Sequence, residues 1–247
     1  MLSLVPPQAI LTSAWLKQHG YSTQLIQKYV STGWLETIGV GAFKRKSEHL
    51  SIFGALWALS QDTPHPVRMG GRSALEYQGF GHNVSFSKRS LLLFSMRRQT
   101  LPKWFTQTTW DYTFSSVQTD CFQAIMQPEV IQSQIINGCS VVLSAPELAI
   151  VEACYLSPLN QDLEELGHFM ESLTSLRPNL LQQLLEDCSS IKTKRLFLFL
   201  ARKYKHSWFA YLDEQKINLG KGKRLIMKGR LDKHYNITLP KEWFDEA

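Results

Sequence analysis

The stretch Leu11–Lys46, LTSAWLKQHGYSTQLIQKYVSTGWLETIGVGAFKRK, decides how the front of the chain folds. Thr12 and Ser13 stand where a helix N-cap belongs, ahead of Ala14–His19, and Gly20 follows as a residue suited to the left-handed position after a helix. Two residues later Ser22 offers a second N-cap, ahead of Thr23–Ser31, and Gly33 can end that helix. Pro6-Pro7 bars any helix upstream, because proline lacks the amide donor and restricts the residue before it. Two short helices across a tight glycine-containing turn make a helix-turn-helix.

The second helix divides into two faces. Leu25, Ile26, Tyr29 and Val30 make one apolar stripe at helical spacing, and Gln24, Gln27, Lys28 and Ser31 make one polar face. No acid lies on the polar face, and its two glutamines can bond base edges bidentately. With Ser22 and Thr23 at the helix start, these residues are the candidates for entering a DNA groove. Leu35, Thr37 and Val40–Phe43 then read as two short strands around a glycine-containing turn. A hairpin directly after such a helix is a wing, and here it runs into Lys44, Arg45 and Lys46, placed to meet phosphates beside the groove. The expectation is a winged helix-turn-helix within residues 8–50, inside an N-terminal domain of residues 1–95.

Working outward, Ile52–Ser60 reads as a helix that Pro64-His65-Pro66 breaks. Val67–Met69 is strand-like, and Gly70-Gly71 turns the chain into a short helix, Ser73–Gln78. The Gly-Gly pair reads as a turn and not a phosphate cradle, since neither GxxxxGK[ST] nor GxGxxG surrounds it. Residues 84–126 look strand-rich, notably Ser90–Met96 and Trp110–Phe114. From Ser144 the character becomes helical, with Ser144 and Glu147 spaced as a capping box and Pro146 suited to an early helical position. Helices follow at Leu148–Leu156, Leu163–Leu176, Asn179–Cys188 and Lys192–Lys203, then short strands at Arg224–Met227 and Tyr235–Leu239. The fold class expected is α+β, with the winged helix-turn-helix followed by a mixed α/β C-terminal domain of residues 96–247.

The 247 residues carry a net charge of +6, with 44% hydrophobic and 19% charged residues, ordinary values for a folded protein with a sizeable core. The charge is distributed in blocks. Residues 151–187 hold Arg177 against seven acids, whereas residues 188–235 hold thirteen Lys or Arg against three acids. A basic block of this kind suits a polyanion. Lys192, Lys194 and Arg195 sit at a helix start, where cations oppose the macrodipole, so a binding duty is expected of them. Lys221, Lys223, Arg224, Lys228 and Arg230 extend the same candidate surface.

The four cysteines, Cys121, Cys139, Cys154 and Cys188, are widely spaced and read as free buried thiols of a cytoplasmic protein. No apolar run approaches the roughly 18–20 residues that cross a bilayer, and the N-terminus lacks the features of a secretory signal. The histidines include no HExxH and no metal quartet, no GxSxG elbow is present, and the acids at Asp162, Glu164, Glu165, Glu186 and Asp187 read as helix surface. The expectation is a protein that is not an enzyme, with no catalytic residue, no metal and no cofactor.

The run Leu11–Arg45 resembles the N-terminal domain of AbiEi-type antitoxins, the regulatory half of type IV toxin–antitoxin systems. The resemblance continues through Gly54–Leu59, Met69–Glu76, Leu101–Phe105, Leu176–Pro178, Ser190–Leu198 and Asn218–Arg224. It implies a transcriptional repressor that binds operator inverted repeats in double-stranded DNA, beside a nucleotidyltransferase-like toxin. It also implies that the C-terminal part neutralises that toxin without stable contact. A rival reading gives the C-terminal basic block RNA to bind, so as to protect the toxin's target.

Overall fold

A computed structural model describes residues 5–62, 67–81, 90–122 and 128–244. The chain forms two compact units, each drawn from three stretches of sequence. One takes Met1–Met69, Phe86–Thr119 and Gln132–Leu143, and the other Gly70–Ser85, Asp120–Ile131 and Ser144–Ala247. Helices and sheets are mixed throughout, which is the α+β class.

In the first unit, β1 (Leu11–Thr12) leads directly into α1 (Ser13–Gln18), where the Thr12 hydroxyl accepts the Trp15 amide at 3.1 Å. His19 closes the helix and Gly20 turns the chain at φ +84°, a conformation that costs a Cβ-bearing residue. Helix α2 (Thr23–Ser31) is capped by Ser22, whose hydroxyl accepts the Leu25 amide at 3.2 Å. Both caps fall where the sequence places them. Strands β2 (Leu35–Gly39) and β3 (Ala42–Arg45) form the hairpin, and β1 joins it antiparallel in the order β1-β3-β2. The apolar stripe of α2 is shallower than its spacing suggests: Ile26 is buried, while Leu25, Tyr29 and Val30 are half-buried.

Helix α3 (Ile52–Asp62) packs its Trp57 edge-on to Trp15 of α1, ring centres 5.7 Å apart. Its first amide, on Ile52, donates to the Asp111 carboxylate at 2.9 Å, so the cap comes from a segment remote in sequence. A five-stranded sheet completes the unit. Its strands are β4 (Arg68–Met69), β5 (Ser90–Ser95), β6 (Thr113–Gln118), β7 (Ile131–Ile136) and β8 (Cys139–Ser144), in the order β6-β5-β4-β8-β7. Leu91–Phe94 is buried throughout, as suits a strand paired on both sides, while β6 at the edge is largely exposed. Of the strand-rich segment expected at 84–126, residues 84–89 and 123–126 lie outside the described residues. Trp110 sits before β6 rather than on it, buried with its indole donating to the Phe105 carbonyl at 2.8 Å. The sequence reading did not anticipate β7 and β8, although Asn137 and Gly138 between them both have positive φ, as a tight hairpin turn demands.

The second unit is mainly helical. Between α4 (Gly71–Tyr77) and the strands at its end lie α6 (Pro146–Leu156), α7 (Leu163–Ser172), α8 (Pro178–Asp187) and α9 (Ile191–Lys203), α5 (Lys103–Thr106) belonging to the first unit. Helix α6 is buried on nearly all sides, and polar residues on it are therefore paired. Gly71 donates its amide to the Glu152 carboxylate at 2.9 Å, so the anion beside the Gly-Gly turn is the chain's own. The capping box expected from Ser144 and Glu147 is not formed. Ala145 is the N-cap, and Glu147 instead accepts from the Arg177 amide at 2.9 Å and from its guanidinium at 3.0 and 2.8 Å. A small sheet of β9 (Arg224–Leu225), β10 (Arg230–Asp232) and β11 (Ile237–Leu239) closes the unit, with β11 central. The middle strand of that sequence, β10, was not expected. All four cysteines are buried free thiols, with the Cys121 and Cys188 sulfurs 3.4 Å apart.

Two outcomes follow from this packing. A Cβ on Gly54 would stand 1.9 Å from the Gln8 carbonyl oxygen. Gly54→Ala, ordinarily worth up to about 1 kcal/mol to a helix, is expected to destabilise by about 1–3 kcal/mol through overpacking, and a raised urea midpoint would refute the close approach. Burial works against the charge on Glu147, yet the Arg177 hydrogen bonds hold its carboxyl below the usual range. A lowered folded-state pKa gives stability above the unfolded value that is lost as pH falls through the folded one. Arg177→Ala is therefore expected to destabilise at pH 7, by about 1–2 kcal/mol since the arginine side chain is 54% exposed and partly screened, and much less near pH 4, as compared by urea unfolding at the two pH values.

Candidate nucleic-acid interface

Helix α2 presents Ser22, Thr23, Gln24, Gln27, Lys28 and Ser31, all exposed. They stand on a helix whose start is fixed by the Ser22 cap. Two of the hydroxyls already have local duties. Ser22 caps, and Ser31 donates to the Lys28 carbonyl at 3.0 Å, as Thr32 does at 2.7 Å. Gln24, Gln27 and Lys28 are thus the side chains with the longest reach into solvent on this face. Two apolar residues that the sequence reading passed over flank it. Trp34 is 68% exposed just beyond the helix, and Val40 is 98% exposed at the hairpin tip. Their signal was available only as exposure.

The three basic residues that end and follow the β2–β3 hairpin do not act as one cluster. Strand alternation sends neighbours to opposite faces. Lys44 lies across from Glu36 and pairs with its carboxylate at 2.5 Å, while also donating to the Glu48 carbonyl at 3.0 Å. Arg45 donates to the Glu48 carboxylate at 3.2 Å, to the Val5 carbonyl at 3.1 Å and to the Pro6 carbonyl. Lys46 alone of the three is exposed.

The C-terminal basic residues divide in the same way. Lys194 and Arg195 are buried at 3% and 2% exposure, which removes them from the surface expected of them. Arg195 donates to the carbonyls of Leu219 at 2.8 Å, Gly222 at 2.5 Å, Asn236 at 3.0 Å and Gly220 at 3.0 Å. Half-buried Lys192 donates to the Tyr155 carbonyl at 2.9 Å and to that of Ser157. These carbonyls end α6, so a cation that opposes the dipole of its own helix complements that of another. Burial pulls the Lys192 ammonium below its ordinary value. Arg224 is half-buried and donates to the Lys221 and Lys223 carbonyls at 3.2 and 3.1 Å. Lys221, Lys223, Lys228 and Arg230 remain exposed.

The acids near α7 have structural work too, with Asp162 accepting the Glu164 and Glu165 amides at 2.9 and 3.0 Å. Among the described residues no three of His, Cys, Asp and Glu gather as a metal site would require, and no helix is long and apolar enough to cross a membrane.

Residues 1–86 match the family model described as "Transcriptional regulator, AbiEi antitoxin N-terminal domain", and residues 88–240 match "Transcriptional regulator, AbiEi antitoxin, Type IV TA system". No curated protein sequence matches the chain. Among solved structures it is similar to the crystal structure of the RV2827C protein from Mycobacterium tuberculosis, at 12% identity and a TM-score of 0.59, over 93% of this chain and 85% of that one. At that identity the likeness concerns the fold alone.

The division among Lys44, Arg45 and Lys46 has a direct check. Arg45→Ala removes charge-assisted bonds to the N-terminal carbonyls and is expected to cost about 2 kcal/mol. Lys46→Ala should leave the urea midpoint within about 0.5 kcal/mol of the parent. Equal midpoints for the two variants would contradict the structural assignment of Arg45.

Proposed function

Because the chain belongs to the AbiEi family of antitoxin transcriptional regulators of type IV toxin–antitoxin systems, we propose that it represses its own operon by setting α2 into the major groove of operator DNA. In this reading residues 1–95 form the operator-binding part, a winged helix-turn-helix with the β2–β3 hairpin as its wing. Residues 96–247 counteract a nucleotidyltransferase-like toxin without stable contact with it. The protein acts in the cytoplasm as a regulator, not as an enzyme.

One observation carries the reading. A doubly capped pair of short helices presents an exposed face with two glutamines, a lysine and no acid, immediately before a hairpin. Glutamine can accept and donate at an adenine edge, and lysine reaches guanine acceptors or phosphate. Winged helices that read inverted repeats bind as two copies, one on each half-site. The wing contributes through Lys46 and the exposed tip, since Lys44 and Arg45 are committed within the fold.

The test uses the full chain and its operator. Gln27→Ala combined with Lys28→Ala is expected to weaken operator binding at least tenfold in a gel shift at moderate salt, because a good side-chain–base pair contributes about 1–3 kcal/mol. Lys46→Ala should instead reduce the slope of log affinity against log salt by about 1 per copy. Unchanged affinity in the double variant would eliminate α2 as the recognition helix. The rival reading, RNA bound by the C-terminal surface, draws on the exposed Lys221, Lys223, Lys228 and Arg230.

A further inference from the structure

The second unit contains a cleft of about 310 Å3 that operator binding by α2 does not use. That volume is at the lower end of small-molecule sites, which run from about 300 to 1,000 Å3. Its aromatic wall is built from two separate elements. Phe199 of α9 lies almost parallel to Trp243, ring centres 6.2 Å apart at 11°, and Phe244 leans on Phe199 at 5.5 Å. Trp243 and Phe244 are only half-buried, so the wall stays open to solvent.

Its cations come from the last turn of α9. Lys203 holds the Trp243 carbonyl at 3.2 Å and stands 5.8 Å from the indole centre, and exposed Arg202 lines the same cleft. Arg230 of β10 lies 5.1 Å over the Phe244 ring. The opposite side carries Asp232, His234 and Tyr235. Tyr235 is 2% exposed, and its hydroxyl lies beside the side chains of Glu214 and Arg202. Burial first, then hydrogen bonding to Glu214, pushes the phenol up, while Arg202 works in the opposite sense.

Tail docking explains Trp243 against Phe199. It does not explain why three cations and a carboxylate gather around an open aromatic wall. Planar stacking surface, positive charge at one rim and acceptor and donor groups on the other side are together the requirements of a nucleotide. We propose that this cleft binds a single nucleotide unit. The base stacks on the exposed part of Trp243, Arg202 and Lys203 hold the phosphate, and Asp232 bonds the sugar hydroxyls or the base edge. The unit has two possible sources, a free mononucleotide or an unpaired residue of RNA. The second accords with Lys228, Arg230 and Lys233, exposed on the segment that carries Asp232 and His234.

The test titrates the full chain with AMP and, separately, with a short single-stranded RNA, following indole fluorescence and heat. Binding of AMP alone identifies the free nucleotide, and binding of the RNA alone or of both identifies the nucleic-acid source. Either requires the following pattern in the variants. Trp243→Phe should keep affinity within a few-fold but lose most of the fluorescence change. Trp243→Ala should lose about tenfold or more, and Arg202→Ala, an exposed site that leaves the fold intact by circular dichroism, about fivefold or more. No heat with either probe overturns the proposal, as does affinity indifferent to Arg202. Operator binding in the gel shift stays unchanged in all three variants, which separates failure here from failure of α2.

Discussion

The guanidinium of Arg195 collects four backbone carbonyls, from Leu219, Gly220, Gly222 and Asn236, and the end of the chain is organised around it. The segment from Asn218 to Lys223 has no helix or strand to satisfy its carbonyls, and a buried unsatisfied acceptor is costly. A planar fork with five donors on one rigid head meets that need in a way lysine cannot. The loop so fixed leads straight into β9, which pairs with β11, and β11 pairs with β10. The strand that carries Asp232 and the residues that follow it thus depend on a charge lodged inside the protein.

The same device recurs in the other unit, where Arg45 gathers the carbonyls of Val5 and Pro6, and again where Lys192 ends α6. In sequence these three residues look like members of basic clusters. In the fold they are internal fasteners for backbone that regular structure leaves unpaired. Clusters of Lys and Arg are thus an ambiguous sign of polyanion binding. Their neighbours Lys46, Lys221 and Lys223 have no distinguishing mark in the sequence, and only burial separates the two kinds.

Local signals were legible and remote ones were not. The caps at Thr12 and Ser22, the polar face of α2, the hairpin and the helices α6 to α9 depend on residues within a few positions of each other, and periodicity exposes them. The capping box at Ser144 and Glu147 had the correct spacing but lost to Arg177, thirty residues away, because a bidentate charged partner outweighs one amide. Asp111 on the Ile52 amide and Arg195 on the Asn236 carbonyl are likewise invisible without the fold. The β7–β8 hairpin is a different failure. Asn137-Gly138 between apolar residues was a strong local sign, and the mixed exposure of β7 obscured its alternation.

On the proposed reading of α2 as a DNA-recognition helix, the partition of cations constrains how it binds. Among residues 5–50 the exposed basic side chains are Lys17, Lys28 and Lys46. Even if all three neutralised phosphates, two copies would account for a salt slope of only about −5, since each contact contributes about −0.9. Non-specific attraction to DNA would then be modest, and discrimination would rest on Gln24 and Gln27 at base edges together with the pairing of copies on an inverted repeat. A reader with few phosphate contacts gains specificity relative to affinity, because the term it lacks is the one blind to sequence. Within that proposal the balance suits a regulator of one operon.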